Sequence, residues 1–200
     1  MTDAEFEKLK HKILDQLKEE LDENLTYHNA SHTADVLEKA EQIAKQEGII
    51  SQEELMFLKI AALFHDNGFL DTYNDHEERS CTIMRAQMQE FFNEAALEKI
   101  CGLIMATKIP QTPITHLEEI ICDADLDYLG RDDFEPISNA LRLEFLARAI
   151  VKDDREWEEK QVRFFEQHHY FTATSNNYRN TGKQKRLIAL RKMFSLQYGL

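Results

Sequence analysis

Apolar residues recur at three- and four-residue intervals along most of the chain, the spacing of helices that bury one face. Over residues 3–24 the stripe is Phe6, Leu9, Ile13, Leu14, Leu17 and Leu21. Over 30–47 it is Ala34, Leu37, Ala40, Ile43 and Ala44, closed by Gly48. Ser51 followed by Glu54 reads as a capping box that opens a third helix. The body of that helix, LMFLKIAALF, is apolar on nearly every side and so belongs at the centre of the fold, with Gly68 just past its end. Further helices are predicted at 75–92, 94–107, 115–123, 133–152, 153–170 and 183–197. The IPQTP loop at Pro110 and Pro113 and the YLGRDD stretch at 128–133 supply breaks. No segment alternates with period two for long enough to suggest a sheet, so the pattern predicts an all-α bundle.

Composition agrees. The 200 residues, 42% hydrophobic and 30% charged, suit one domain over 1–200 with a substantial core, and six Gly with three Pro leave few tight turns. Charge narrows the range of partners. With 24 basic against 37 acidic residues the chain carries −13, which favours solubility and repels a phosphate backbone, so no long nucleic acid is expected as a partner. There is no run of roughly 20 apolar residues and no apolar signal region near the N-terminus, so a cytoplasmic protein without a membrane partner is expected. Cys81, Cys101 and Cys122 form no CxxC pair and read as reduced, buried thiols. After Glu166 no acidic residue occurs, while Arg179, Lys183, Lys185, Arg186, Arg191 and Lys192 follow. This basic segment reads either as a solvated face complementing the acidic body or as a rim that attracts phosphate.

The residues that carry chemistry fall in three clusters. Tyr27-His28-Asn29 with His32 stands at the start of the second helix, where His28 and His32 share a face about 6 Å apart along the axis. His65-Asp66 ends the apolar third helix, where an unpartnered polar pair would be costly to bury. Asp123-Ala124-Asp125-Leu126-Asp127 follows the apolar Ile120-Ile121-Cys122. Each cluster alone is weak. Imidazoles and carboxylates converging from separate helix ends are, however, what a divalent metal in a helical bundle needs.

His32, then adjacent His65-Asp66, then distant Asp125 resembles the pattern of the HD-domain superfamily of metal-dependent phosphohydrolases. The likeness spans about residues 26–130, with 133–200 expected to complete the domain. YHNxxH at 27–32 resembles the motif of cyclic-nucleotide phosphodiesterases, and HDNGF at 65–69 and DADLDYLG at 123–130 are similar to bacterial members. The resemblance implies a helical bundle with a metal site between helices. It implies His32, His65, Asp66 and Asp125 as ligands to one divalent ion, a set that suits Mn, Fe, Co, Ni, Zn or Mg. Such an ion acidifies bound water and neutralises phosphoryl oxygens, and Asp66 has a second oxygen for another metal or a bridging water. Asp125 matches the family position within Ala-Asp-Leu; Asp123 and Asp127 are left as supporting or capping groups. His28 is implied as the acid that protonates the leaving oxygen, against a purely orienting role, and Asn29 as a structural or supporting partner. His76 with Glu77 lines the site or opens a helix, and Lys108 meets a substrate phosphate or the solvent. Near the end of the 94–107 helix the chain reads Met105-Ala106-Thr107-Lys108 in place of a further histidine, so a second metal would be weaker. The implied activity is hydrolysis of a phosphate mono- or diester of a nucleotide-like small molecule. The alternative is a non-catalytic metal or nucleotide sensor on the same scaffold.

Overall fold

Ten α-helices and two short 3-10 turns make up the fold, with no strand among the described residues, 1–199 of this computed structural model. The helices run α1 Asp3–Glu20, α2 Ala30–Gln46, α3 Gln52–Phe64, α4 His76–Met88, α5 Glu94–Ala106, α6 His116–Asp125, α7 Phe134–Ala147, α8 Asp154–Gln167, α9 Ala173–Tyr178 and α10 Asn180–Tyr198. The 3-10 turns are Asn67–Leu70 and Asp127–Gly130. The all-α expectation holds. No described helix is long and apolar enough to cross a membrane.

The strongest pattern in the sequence marks the centre. Phe57, Leu58 and Ile60 through Phe64 of α3 are all buried, and α3 packs against α2, α5 and α6. Its first turn is capped by Ser51, whose Oγ accepts from the Glu54 N–H. Around α3 the buried faces of α1 to α6 form one apolar core, from Phe6 and Ile13 to Ile120 and Ala124. A second core gathers Tyr27, Leu126, Tyr128, Leu129, Phe134, Phe165, Tyr170 and Leu187, where α7, α8 and α10 close over the 127–130 turn. The ends of α3 and α6 and the start of α2 lie at the seam between the two.

Several boundaries depart from the pattern. The first helix stops at Glu20 rather than 24, because Asp22 Oδ1 accepts from the Asn24 N–H at 2.8 Å and turns the chain. The seventh stops at Ala147, well short of 152, before Ala149 takes a positive φ of 53°. The short helix α9, absent from the periodicity, is opened by Thr172, whose hydroxyl accepts from the Ser175 N–H at 3.1 Å.

The basic C-terminal segment is in part an internal scaffold. Arg179 Nε donates to Asp127 Oδ1 at 2.7 Å, Arg186 donates to the carbonyl of Arg131, and the fully buried Lys183 donates to the carbonyl of His168. Burial pushes the Lys183 pKa down to about 8 from its ordinary 10.5. Between these two values the unfolded chain holds more protons than the folded one, so this group makes stability rise with pH across that window. Denaturant melts from pH 7 to pH 10 should show such a rise, on the order of 1–2 kcal/mol, in the wild-type protein relative to Lys183→Met. Parallel pH profiles for the two proteins would refute it.

Candidate metal centre

Three helix ends deliver the site. Asn29 caps α2, its Oδ1 accepting from the Ser31 and His32 N–H groups while its Nδ2 donates to the Thr26 carbonyl, so His32 is set in the first helical turn. His65 and Asp66 follow the last residue of α3, and Asp125 is the last residue of α6. The His-Asp turn is pinned by Ser80 of α4, buried, which donates to the His65 carbonyl at 2.6 Å and accepts from the Gly68 N–H at 2.8 Å. Gly68 is required there: a Cβ would collide with the backbone carbonyl of His76. That close approach brings His76 of α4 up to Asp66.

Four side-chain atoms converge. His32 Nε2 lies 3.3 Å from His65 Nε2, 3.4 Å from Asp66 Oδ2 and 3.2 Å from Asp125 Oδ1. His65 Nε2 lies 3.2 Å from Asp66 Oδ2 and 3.7 Å from Asp125 Oδ1. Ligand atoms held about 2.1 Å from one ion at tetrahedral or octahedral angles stand about 3.0–3.4 Å apart, so the spacing of His32, His65 and Asp66 fits a shared cation, with Asp125 alongside His32. Two further observations point the same way. The buried Asp66 Oδ2 has no hydrogen-bond partner, although it sits among these groups. The Nδ1 of His65 faces the Ala62 carbonyl at 2.9 Å; with the proton placed on Nδ1, the Nε2 lone pair is aimed at the other three groups. His32, His65 and Asp66 meet the geometric requirement for a metal-holding triplet.

Residues 29–127 match the family model of the HD domain. The chain belongs to the HD-domain superfamily. Its members are in general metal-dependent phosphohydrolases that hold divalent metals, and the His32–His65–Asp66 cluster is where this HD domain can hold one. No curated protein and no solved structure matches the chain.

Electrostatics bind the HD centre together. Burial opposes charge on His65, but Asp66 and Asp125 outweigh it and push its pKa up to about 9. Burial likewise works against the Asp66 carboxylate, yet His65 and the hydrogen bond from His76 hold it well below the usual range.

His28 stands beside the four groups, its ring centroid 5.9 Å from that of His32. Its Nδ1 lies 2.5 Å from Oε1 of Glu144, a fully buried residue of α7 that also accepts from the backbone N–H groups of Tyr27 and His28 and from the Tyr73 hydroxyl. Burial lowers the His28 pKa, but the Glu144 hydrogen bond and the charges of Asp66, Glu144 and Asp125 raise it on balance. Glu144 escaped the sequence reading. The available signal was an acidic residue on the otherwise apolar Phe134–Ile137–Leu141 face of α7.

The remaining expected residues divide. His76 Nε2 reaches Asp66 Oδ1 at 3.5 Å and Glu77 Oε1 at 3.4 Å, with its ring stacked on Phe69 at 3.9 Å. Lys108 is drawn to the surface by Asp75 at 2.9 Å and Glu78 at 2.6 Å. Asp123, buried, points away, its carboxylate accepting from Phe171 N, Thr172 N and Thr172 Oγ1 at 2.7–2.9 Å. It fastens α6 to the segment before α9, and Asp123→Ala should cost about 2–4 kcal/mol by stranding those donors. An unchanged thermal melt would refute that role.

Proposed function

We propose that the protein is a metal-dependent phosphohydrolase that cleaves a phosphate mono- or diester of a nucleotide-like small molecule, with His32, His65, Asp66 and Asp125 as the ligands to one divalent ion. The observation that carries this reading is the convergence of two imidazole Nε2 atoms and two carboxylate oxygens from three helix ends. When bound, a divalent ion supplies activation of water and neutralisation of phosphoryl charge. The protein's own part is to fix those four groups and to manage the leaving group's proton. Glu144 takes the proton on His28 Nδ1 into its hydrogen bond and leaves Nε2 to carry a second one. His28 then donates that proton to the departing oxygen, and Glu144 stabilises the charged ring beforehand. The buried Glu144 carboxylate, which also accepts from the Tyr27 and His28 N–H groups and the Tyr73 hydroxyl, supports turnover over sensing because it holds the ring beside the ion site ready to carry a second proton. On this reading residues 133–199 belong to the same functional unit as the motif-bearing core, because α7 supplies Glu144.

The test is a panel of nucleotides and simple phosphoesters, run with Mn, Fe, Co, Ni, Zn and Mg in turn. Hydrolysis that requires one of these ions and is abolished by chelation is the expected outcome. No turnover with any ion, in a protein that binds metal, would leave the sensor reading instead.

A further inference from the structure

The seam between α4 and α5 is tied by charges at both ends. Arg85 of α4 donates to Glu94 and Glu98 of α5, and Lys108, just past α5, reaches Asp75 at 2.9 Å and Glu78 at 2.6 Å. These pairs fix an antiparallel register in which Cys81, one turn before Arg85, meets Cys101, about one turn after Glu98. Cys81 Sγ lies 3.6 Å from the Cys101 carbonyl oxygen. Both thiols are free, Cys101 buried and Cys81 half-buried, and the phosphohydrolase reading gives neither a role.

The two thiols differ in chemistry. Hydrogen bonding from the Cys81 thiol, with the charge of Arg85, outweighs burial and the Glu98 carboxylate and lowers the Cys101 pKa to about 7. Cys81 stays a thiol at neutral pH, its pKa pushed up by the same contact and by burial. A thiolate poised beside a second, more accessible thiol is the arrangement that reversible thiol oxidation needs.

We propose that Cys81 and Cys101 are a peroxide-responsive pair that closes to a disulfide across the α4–α5 seam. The Cys101 thiolate attacks one oxygen of hydrogen peroxide and the O–O bond breaks. Cys101 becomes a sulfenic acid, and the departing hydroxide takes a proton from solvent to leave as water. The Cys81 sulfur then bonds to the Cys101 sulfur and displaces the sulfenic oxygen, which leaves as a second water with the Cys81 proton. Two thiols are oxidised and one peroxide is reduced. Arg85 serves the first step by favouring negative charge on the Cys101 sulfur, and the helix register serves the second by holding Cys81 against it. The new bond ties α5 to α4, the helix that carries Ser80 and His76 to the His-Asp turn.

Hydrogen peroxide added to the full reduced chain should consume two of its three thiols, with a mass loss of two hydrogens and a proteolytic map that joins Cys81 to Cys101. Dithiothreitol should restore both. Cys122, fully buried with its thiol donating to the Ala106 carbonyl at 3.0 Å, should stay free. Closing the loop between Cys81 and Cys101 should raise the melting temperature by about 6–13 °C. Cys81→Ser should stop at a Cys101 sulfenic acid that dimedone traps, whereas Cys101→Ser should leave Cys81 about tenfold slower toward peroxide. Three thiols still free at a peroxide level that oxidises the unfolded chain would overturn the proposal. So would pairing through Cys122, a disulfide between two chains, or a melting temperature that fails to rise on oxidation. The wild-type map needs no variant and decides the question if a substituted chain fails to fold.

Discussion

Elemental analysis of the wild-type protein should find about one tightly held divalent ion per chain, and His65→Ala and Asp125→Asn should each lose most of it. Each substitution removes one of the four proposed ligands, His65 Nε2 lying 3.2 Å from Asp66 Oδ2 and Asp125 Oδ1 lying 3.2 Å from His32 Nε2, and a site with three partners holds an ion far less well. The groups come from α2, the end of α3 and α6, so an ion held by all four would tie together three segments. Removing it should therefore lower the melting temperature. At a free ion concentration 100–1,000 times Kd, linkage gives about 3–4 kcal/mol, or about 6–16 °C for a chain of this size. Wild-type metal content in both variants would refute the ligand assignment. An unchanged melting temperature after verified removal would refute a shared site.

His28→Ala should keep its metal and its fold, yet lose about 10²–10⁴-fold in kcat/KM on an alkyl phosphoester. A general acid matters in proportion to how poor the leaving group is. With p-nitrophenyl phosphoesters, whose phenolate departs without a proton, the loss should be much smaller. Glu144→Gln keeps a hydrogen-bonding group of the same size but removes the charge that favours the protonated ring. It should reproduce part of the alkyl-ester loss with little effect on the aryl ester. His32→Ala should be inactive on both, because it dismantles the ion site. Equal losses on the two substrate types in His28→Ala, with metal content intact, would reduce His28 to a positioning residue.

The helices that were legible beforehand are those whose stripe is continuous. The α3 body is apolar all round, and such a helix has no stable place except the middle of other helices. Cap residues such as Asn29, Ser51 and Thr172 act over three residues, so their effect on the backbone is local. Where the reading slipped, at the ends of α1 and α7 and at α9, the chain stops or restarts through turns and caps rather than through a change of apolar period.

The chemistry divides along the same line. His32, His65-Asp66 and Asp125 were legible through their resemblance to the HD-family pattern, and their place at helix ends, where a buried polar residue needs a partner, agreed with it. That their four atoms meet was decided by packing, with α3 at the centre and Ser80 and Gly68 drawing α4 against the His-Asp turn. The partners with the largest sequence separation were invisible. Glu144 lies 116 residues from His28, and its burial gives no local signal beyond one acid on an apolar face. Lys108 and Asp123 look as reactive on paper as their neighbours, but the first is drawn to surface carboxylates and the second turned toward Thr172. Residue type and helical period determined which elements form and which carry charge into the interior. Only the tertiary structure decided which charges face one another, because a side chain's partners are set by how the helices pack rather than by its neighbours along the chain.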